Sequence, residues 1–142
     1  MITPMRELIV LKAREWLGTP YHHQQSIKGI GVDCLGLVAG VAVELGIEGK
    51  YNETSFIPFK RYSRNPNPRH MQKAMDAFLI PVADPKIGDI AWIETRENVP
   101  SHLALRVSDT TIIHADAFSA KVIESPLPSR AHTWWKYGGL NE

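Results

Sequence analysis

The chain holds a single thiol, Cys34, which follows an acidic residue at the head of an apolar run, GVDCLGLVAG at 31–40. A cysteine attacks carbonyls as its thiolate, and a free thiol with a pKa near ~8.5 is mostly protonated at neutral pH. Two devices lower that value: a helix N-terminus, whose N–H groups and dipole favour negative charge, and an adjacent imidazolium. Asp33 is a good N-cap, so Cys34 sits where the first device operates. For the second there are six histidines, and two of them, His102 and His114, lie in the strand-like segments SHLALRV and TTIIHA. A three-residue turn at 108–110 makes those segments a hairpin in which opposed residue numbers sum to an even value. His102 and His114 then share a sheet face, whereas a two-residue turn would put them on opposite faces. If the tip of the Cys34 helix packs on that face, His102 can take the thiol proton while His114 orients its ring.

The residues alone leave other readings open. A lone cysteine beside an apolar helix is often just a small buried residue. His114, between Ile113 and Ala115, fits a hydrogen-bonded core histidine. Zinc accepts ligands such as Cys34, His102 and His114, although no close ligand pair nucleates a metal site here.

The elements that must position these groups come from the rest of the chain. Its 142 residues suit one domain, 1–142, with a single core. Apolar residues make up 44% and charged residues 22%, which is ordinary soluble usage. A net charge of +1 gives no basic field for nucleic acid, and one cysteine excludes an internal disulfide. No run reaches the roughly 18 apolar residues of a membrane span. The start, MITPMRELIVLKAREWLG, lacks the pattern of a secretion signal, so action outside the cytoplasm would need a carrier.

Thr3 and Pro4 predict a helix start and Gly18 its end. The polar, Gly-containing stretch 19–32 reads as a loop. A second helix runs from the Asp33 cap to about Leu45, with Gly46 just past it, and its nearly all-round apolarity makes it central. Segment 50–70 carries Lys50, Lys60, Arg61, Arg64 and Arg69 among prolines and asparagines. It reads as a solvated loop or, more sharply, as a surface for an anionic polymer. A short helix at 70–79 follows, then a break at 81–85 and five strands: IGDIAWIE, SHLALRV, TTIIHA, AKVIES and HTWWKY. Helices first and strands second predict an α+β fold with a meandering antiparallel sheet, and Trp134 and Trp135 are placed in the core.

The order LGTPY, VDCLGLV, PKIGDIAWI, SHLALRV and IIHADA resembles the NlpC family of papain-like cysteine peptidases, which cut bacterial cell-wall peptides. Within it, LGTPYHHQ with GVDCLGLV resembles the phage-associated branch, found also in prophages and gene transfer agents. The resemblance runs from about Ala13 to about Glu124. It implies a papain-like NlpC fold, with N-terminal helices packed on an antiparallel sheet. It makes Cys34 the nucleophile, His102 the base and His114 the residue that holds the base. Tyr21 would lie beside the nucleophile and help hold the oxyanion. Asp33 would cap the helix or read substrate, Leu35 and Ser101 would lie at the substrate site, His23 would line the cleft or stand as a surface loop histidine, and Gly88-Asp89 would be structural. Leu35 stands where many relatives carry a serine that helps read the peptide end, so the bond cut stays open. The implied reaction needs no metal and no cofactor. The implied substrate is a peptidoglycan stem peptide, cut between D-glutamate and a diamino acid. Tail proteins of a phage or gene-transfer-agent particle are the implied partners, carrying the domain to the periplasm or wall. Two rival readings accompany this one: a structural tail-tip component with a peptidase fold, and an amidase or acyltransferase on a non-wall substrate.

Overall fold

The computed structural model describes residues 2–47, 68–96, 99–129 and 132–140. Helix α1 (Pro4–Glu15) begins as the sequence predicts, with the Thr3 hydroxyl accepting from the Arg6 N–H (3.4 Å). Pro4 occupies a first-turn position whose N–H would have no partner in any case. Part of the stretch read as loop is paired instead: β1 (Ser26–Ile27) and β2 (Gly31–Val32) form a two-stranded antiparallel ribbon. Helix α2 (Cys34–Leu45) follows, and Gly46 closes it in the left-handed conformation (φ 67°) that lacks a steric penalty only for glycine. Then come α3 (Pro68–Phe78), β3 (Leu79–Val82), β4 (Ile90–Arg96), β5 (Val99–Arg106), β6 (Thr111–Asp116), β7 (Lys121–Pro126) and β8 (His132–Tyr137). Lys50, Lys60, Arg61 and Arg64 lie outside the described residues, and Arg69 on α3 is exposed. Among the described residues no helix is long and apolar enough to cross a membrane.

The six-stranded sheet has the order β3-β8-β4-β5-β6-β7. The expected meander holds from β4 to β7. The last strand departs from it by returning to pair with β4, and β3, missed in the sequence, adds beyond it. Local pattern cannot report such a return, since register across a long connection is set by the core.

That core lies between the helices and one sheet face. Leu37 and Val41 of α2 are 0% exposed and share a cluster with Ile9, Trp16, Trp92, Leu105 and Ile113. Each such burial contributes roughly 1.5–3 kcal/mol. A Cβ on Gly40 would come within 2.5 Å of the Trp16 ring, so this glycine lets the indole lie directly on α2. Ala91, Ile93, Ala104 and Ile112 form a smaller cluster with Leu127 and Trp134. Trp135 is thus in the main core as expected, whereas Trp134 packs on the smaller one.

A buried ion pair ties α1 to the sheet. Arg6 and Asp89, 3% and 1% exposed, approach to 2.7 Å, and the same Arg6 nitrogen donates to the Ile87 carbonyl (3.1 Å). The other Asp89 carboxylate oxygen accepts from the Lys86 N–H (2.7 Å), just before β4 begins. Asp89 is therefore structural, as the sequence suggested. Its partner Arg6 went unnoticed because one arginine among the charges of an amphipathic helix gives no sign of burial. Breaking such a pair leaves an uncompensated buried charge, so Asp89→Ala is expected to cost roughly 3–5 kcal/mol in urea unfolding. A cost below about 1 kcal/mol would place the pair among exposed ones.

Candidate active site

Asp33 fixes the head of α2. Its Oδ1 accepts from the Gly36 N–H (2.8 Å) and its Oδ2 from the Gln24 N–H (2.7 Å), so one carboxylate both caps the helix and holds the preceding loop to it. The Ser26 hydroxyl donates to the Gly36 carbonyl (2.7 Å). Gly36 permits this approach, since a Cβ there would overlap the Gln25 carbonyl oxygen. Tyr21 is drawn to the same place: the His22 N–H donates to the Val32 carbonyl (2.9 Å) and the Val32 N–H to the Pro20 carbonyl (3.0 Å). Tyr21 thus runs alongside Val32, two residues before the thiol, and its own N–H donates to Ala120 (2.8 Å).

Cys34 is half-buried, and the backbone amides of Leu103, Leu35 and Cys34 itself stabilise charge on its sulfur. Burial outweighs them and, with the neighbouring Asp33 charge, pushes the thiol up to about 12. This corrects the expectation from sequence that a helix start would lower it. At neutral pH this shift favours the protonated thiol.

The hairpin expected at 108–110 is present, with the Val107 N–H donating to the Thr111 carbonyl (3.1 Å). β5 opposes β6 at Leu105↔Ile113 and Arg106↔Ile112, so numbers sum to an even value and both histidines share a parity. The ladder between the strands ends at those pairs. Beyond it, His102 Nε2 and His114 Nδ1 lie 2.7 Å apart, their rings edge-on at 78°. His114 Nε2 lies 2.9 Å from the Ser125 hydroxyl oxygen on β7. Burial pulls His114 below the usual histidine range, opposed by the charge of Asp116, so its ring is neutral at neutral pH.

One expectation about packing is revised. The body of α2 lies on the face of Leu103, Leu105 and Ile113, whereas the histidines share parity with Ala104 and Ile112. The helix tip meets β5 through the Leu103 amide, one residue from His102, where the β5–β6 ladder has ended.

Of the candidate substrate contacts, two face inward. Leu35 is 4% exposed and lines an apolar pocket with Val38, Ala74, Met75, Phe78 and Leu103, so it is a core side chain rather than a substitute for a recognition serine. Asp33 is 2% exposed with both oxygens taken by backbone amides, which makes it a cap. Burial pushes its carboxyl up, while the Gly36 and Gln24 amides and the charge of His23 pull it back. His23, Tyr21 and Ser101 are half-buried, and His22 is exposed. Ser125 was not anticipated, because its contact with His114 depends on the β6–β7 register. Among the described residues no three His, Cys, Asp or Glu side chains are grouped to hold a metal ion.

No family model matches the sequence, and no curated protein does either. Solved structures do. The chain is similar to the NlpC/p60 domain of the peptidoglycan hydrolase SagA, with a TM-score of 0.59 at 19% identity over 92% of this chain and 97% of that one. It is also similar to NlpC1 from Trichomonas vaginalis, with a TM-score of 0.65 at 18% identity over 96% of this chain and 45% of that one. An NLP/P60-family protein from Staphylococcus aureus gives a TM-score of 0.62 at 19% identity, over 95% of this chain and 42% of that one. The chain therefore spans less than half the length of the latter two. The fold is the papain-like NlpC/p60 fold, helices packed on an antiparallel sheet.

The raised thiol has a consequence for stability. Its value is about 12 folded against 9.0 for the free group, so its contribution is intact below pH 9 and is lost as pH rises from there toward 12. The stability of the wild type relative to Cys34→Ala should fall by roughly 1–2 kcal/mol between pH ~8 and ~10.5 in urea unfolding. A relative stability that rises over that range would mean the folded thiol is more acidic than the free one.

Proposed function

We propose, taking the NlpC/p60 fold as premise, that this domain is a cysteine peptidase acting on the stem peptides of peptidoglycan. The observation that carries the reading is the 2.7 Å contact between His102 and His114, built beside the Leu103 amide against which the Cys34 sulfur rests. Structural roles do not require two imidazoles in series one residue from the backbone amide that meets the lone thiol of the chain. That one solved domain of similar fold belongs to a peptidoglycan hydrolase supports the choice of substrate.

In this reading Cys34 Sγ attacks an amide carbonyl and its proton passes to His102. Because the resting sulfur is protonated, the transfer accompanies the attack instead of preceding it. N–H groups at the start of α2 hold the oxyanion of the tetrahedral intermediate, and Tyr21 stands alongside. His102 then protonates the leaving amine, and the C–N bond breaks to leave a thioester on Cys34. A water, deprotonated by His102, hydrolyses the thioester and frees the thiol. The bond assigned is that between D-glutamate and a diamino acid. Carriage to the wall by a tail-like particle is supported by the phage-branch likeness of LGTPYHHQ and GVDCLGLV.

Digestion of purified Gram-negative sacculi, with the released muropeptides read by mass spectrometry, tests this. Wild type is expected to release fragments ending at D-glutamate. Cys34→Ala should release none, and His102→Ala should be slower by roughly 10²–10⁴-fold. Fragments released equally by wild type and Cys34→Ala would overturn the assignment.

A further inference from the structure

His114 is held on both sides: its Nδ1 is 2.7 Å from His102 Nε2 and its Nε2 is 2.9 Å from the Ser125 oxygen. When each ring carries a single proton, two proton arrangements satisfy both contacts. In the first, His102 Nε2–H donates to His114 Nδ1, and His114 Nε2–H donates to Ser125 Oγ. His102 Nδ1, the nitrogen not engaged by His114, then carries no proton and can accept one. In the second, the Ser125 O–H donates to His114 Nε2, and His114 Nδ1–H donates to His102 Nε2. The His102 proton now sits on Nδ1, and the ring has no lone pair left to act as a base. The imidazolium formed during attack carries protons on both nitrogens, so it is compatible with the first arrangement only.

We propose that Ser125 is a positioning residue of the site: its hydroxyl oxygen accepts from His114 Nε2–H and so selects the tautomer pair in which His102 is a base. This rests on the peptidase reading of Cys34 and His102. The contact is set by the sheet rather than by a loop. Ser125 opposes Ile112 and His114 opposes Ile123 in the β6–β7 ladder, which puts serine and histidine on a diagonal of one face. Burial keeps His114 neutral, and Asp116 is the charge that acts on it, so the position of its single proton is what remains to be chosen. A thiol held in its protonated form makes that choice consequential, because a base must be ready when substrate arrives.

The test is long-range ¹H–¹⁵N NMR of the imidazoles in the full chain, together with the iodoacetamide alkylation rate of Cys34 at neutral pH. Wild type, Ser125→Thr and the acceptor-only Ser125→Asp should all show His114 protonated on Nε2. Ser125→Ala should shift it toward Nδ1–H and alkylate more slowly by about tenfold, the loss of one hydrogen bond's worth of preference. A wild-type His114 protonated on Nδ1 would overturn the proposal, and that readout needs no variant. Unchanged tautomer and alkylation in Ser125→Ala would overturn it too, as would a Ser125→Asp protein that behaves like Ser125→Ala. If the tautomers behave as stated but sacculi stay intact, the substrate assignment falls and the role of Ser125 stands.

Discussion

The site depends on where the carboxylate of Asp33 is held. One oxygen takes the Gly36 N–H and the other the Gln24 N–H, so the beginning of α2 and the loop before it are a single rigid unit. Without this cap the first turn would lose the partner of an orphan N–H, a loss of about 1 kcal/mol in typical cases. The energetic cost is the lesser consequence. The cap also orients Cys34 as the first residue of a helix whose body is locked into the core by Leu37 and Val41. Gly36 and Gly40 serve the same end, one admitting the loop and the other the Trp16 ring.

The same carboxylate raises an electrostatic cost. Asp33 sits beside the sulfur and, after burial, is the larger of the influences that keep the thiol protonated. Three backbone amides oppose it without winning. In the proposed mechanism the resting site therefore holds a thiol rather than a thiolate, and His102 is the group that must stand ready as base. The His102–His114 contact, extended to Ser125, holds the rings in a half-buried setting, where the proposed mechanism requires one tautomer of each. Sheet geometry makes this affordable: β5 and β6 pair through Leu105 and Arg106 and then cease to be ladder partners, leaving room for imidazoles and a helix tip.

Much of this was legible in the sequence because it is local. Thr3, Pro4 and Gly18 bracketed α1, and Asp33 and Gly46 bracketed α2, since capping chemistry is written in the capping residues. The shared parity of His102 and His114 followed from counting three turn residues. What escaped was set at a distance. The return of β8 to β4, the burial of Arg6 against Asp89 and the approach of Ser125 to His114 each join residues far apart in the chain. Leu35 shows a further limit: its place beside Cys34 suggested a cleft contact, but helical geometry turns its side chain toward α3. The direction of the Cys34 shift was misjudged for a related reason. A helix start is visible in sequence, whereas the depth at which it lies is not.

The proposed mechanism requires Cys34 to carry the acyl group. The most direct measurement is the intact mass of the protein, acid-quenched during turnover of a soluble stem-peptide fragment. An adduct equal to the acyl portion of the substrate, mapped to Cys34 and gone once substrate is exhausted, is the predicted result. Turnover of the same fragment with no adduct on Cys34, and undiminished in Cys34→Ala, would contradict it.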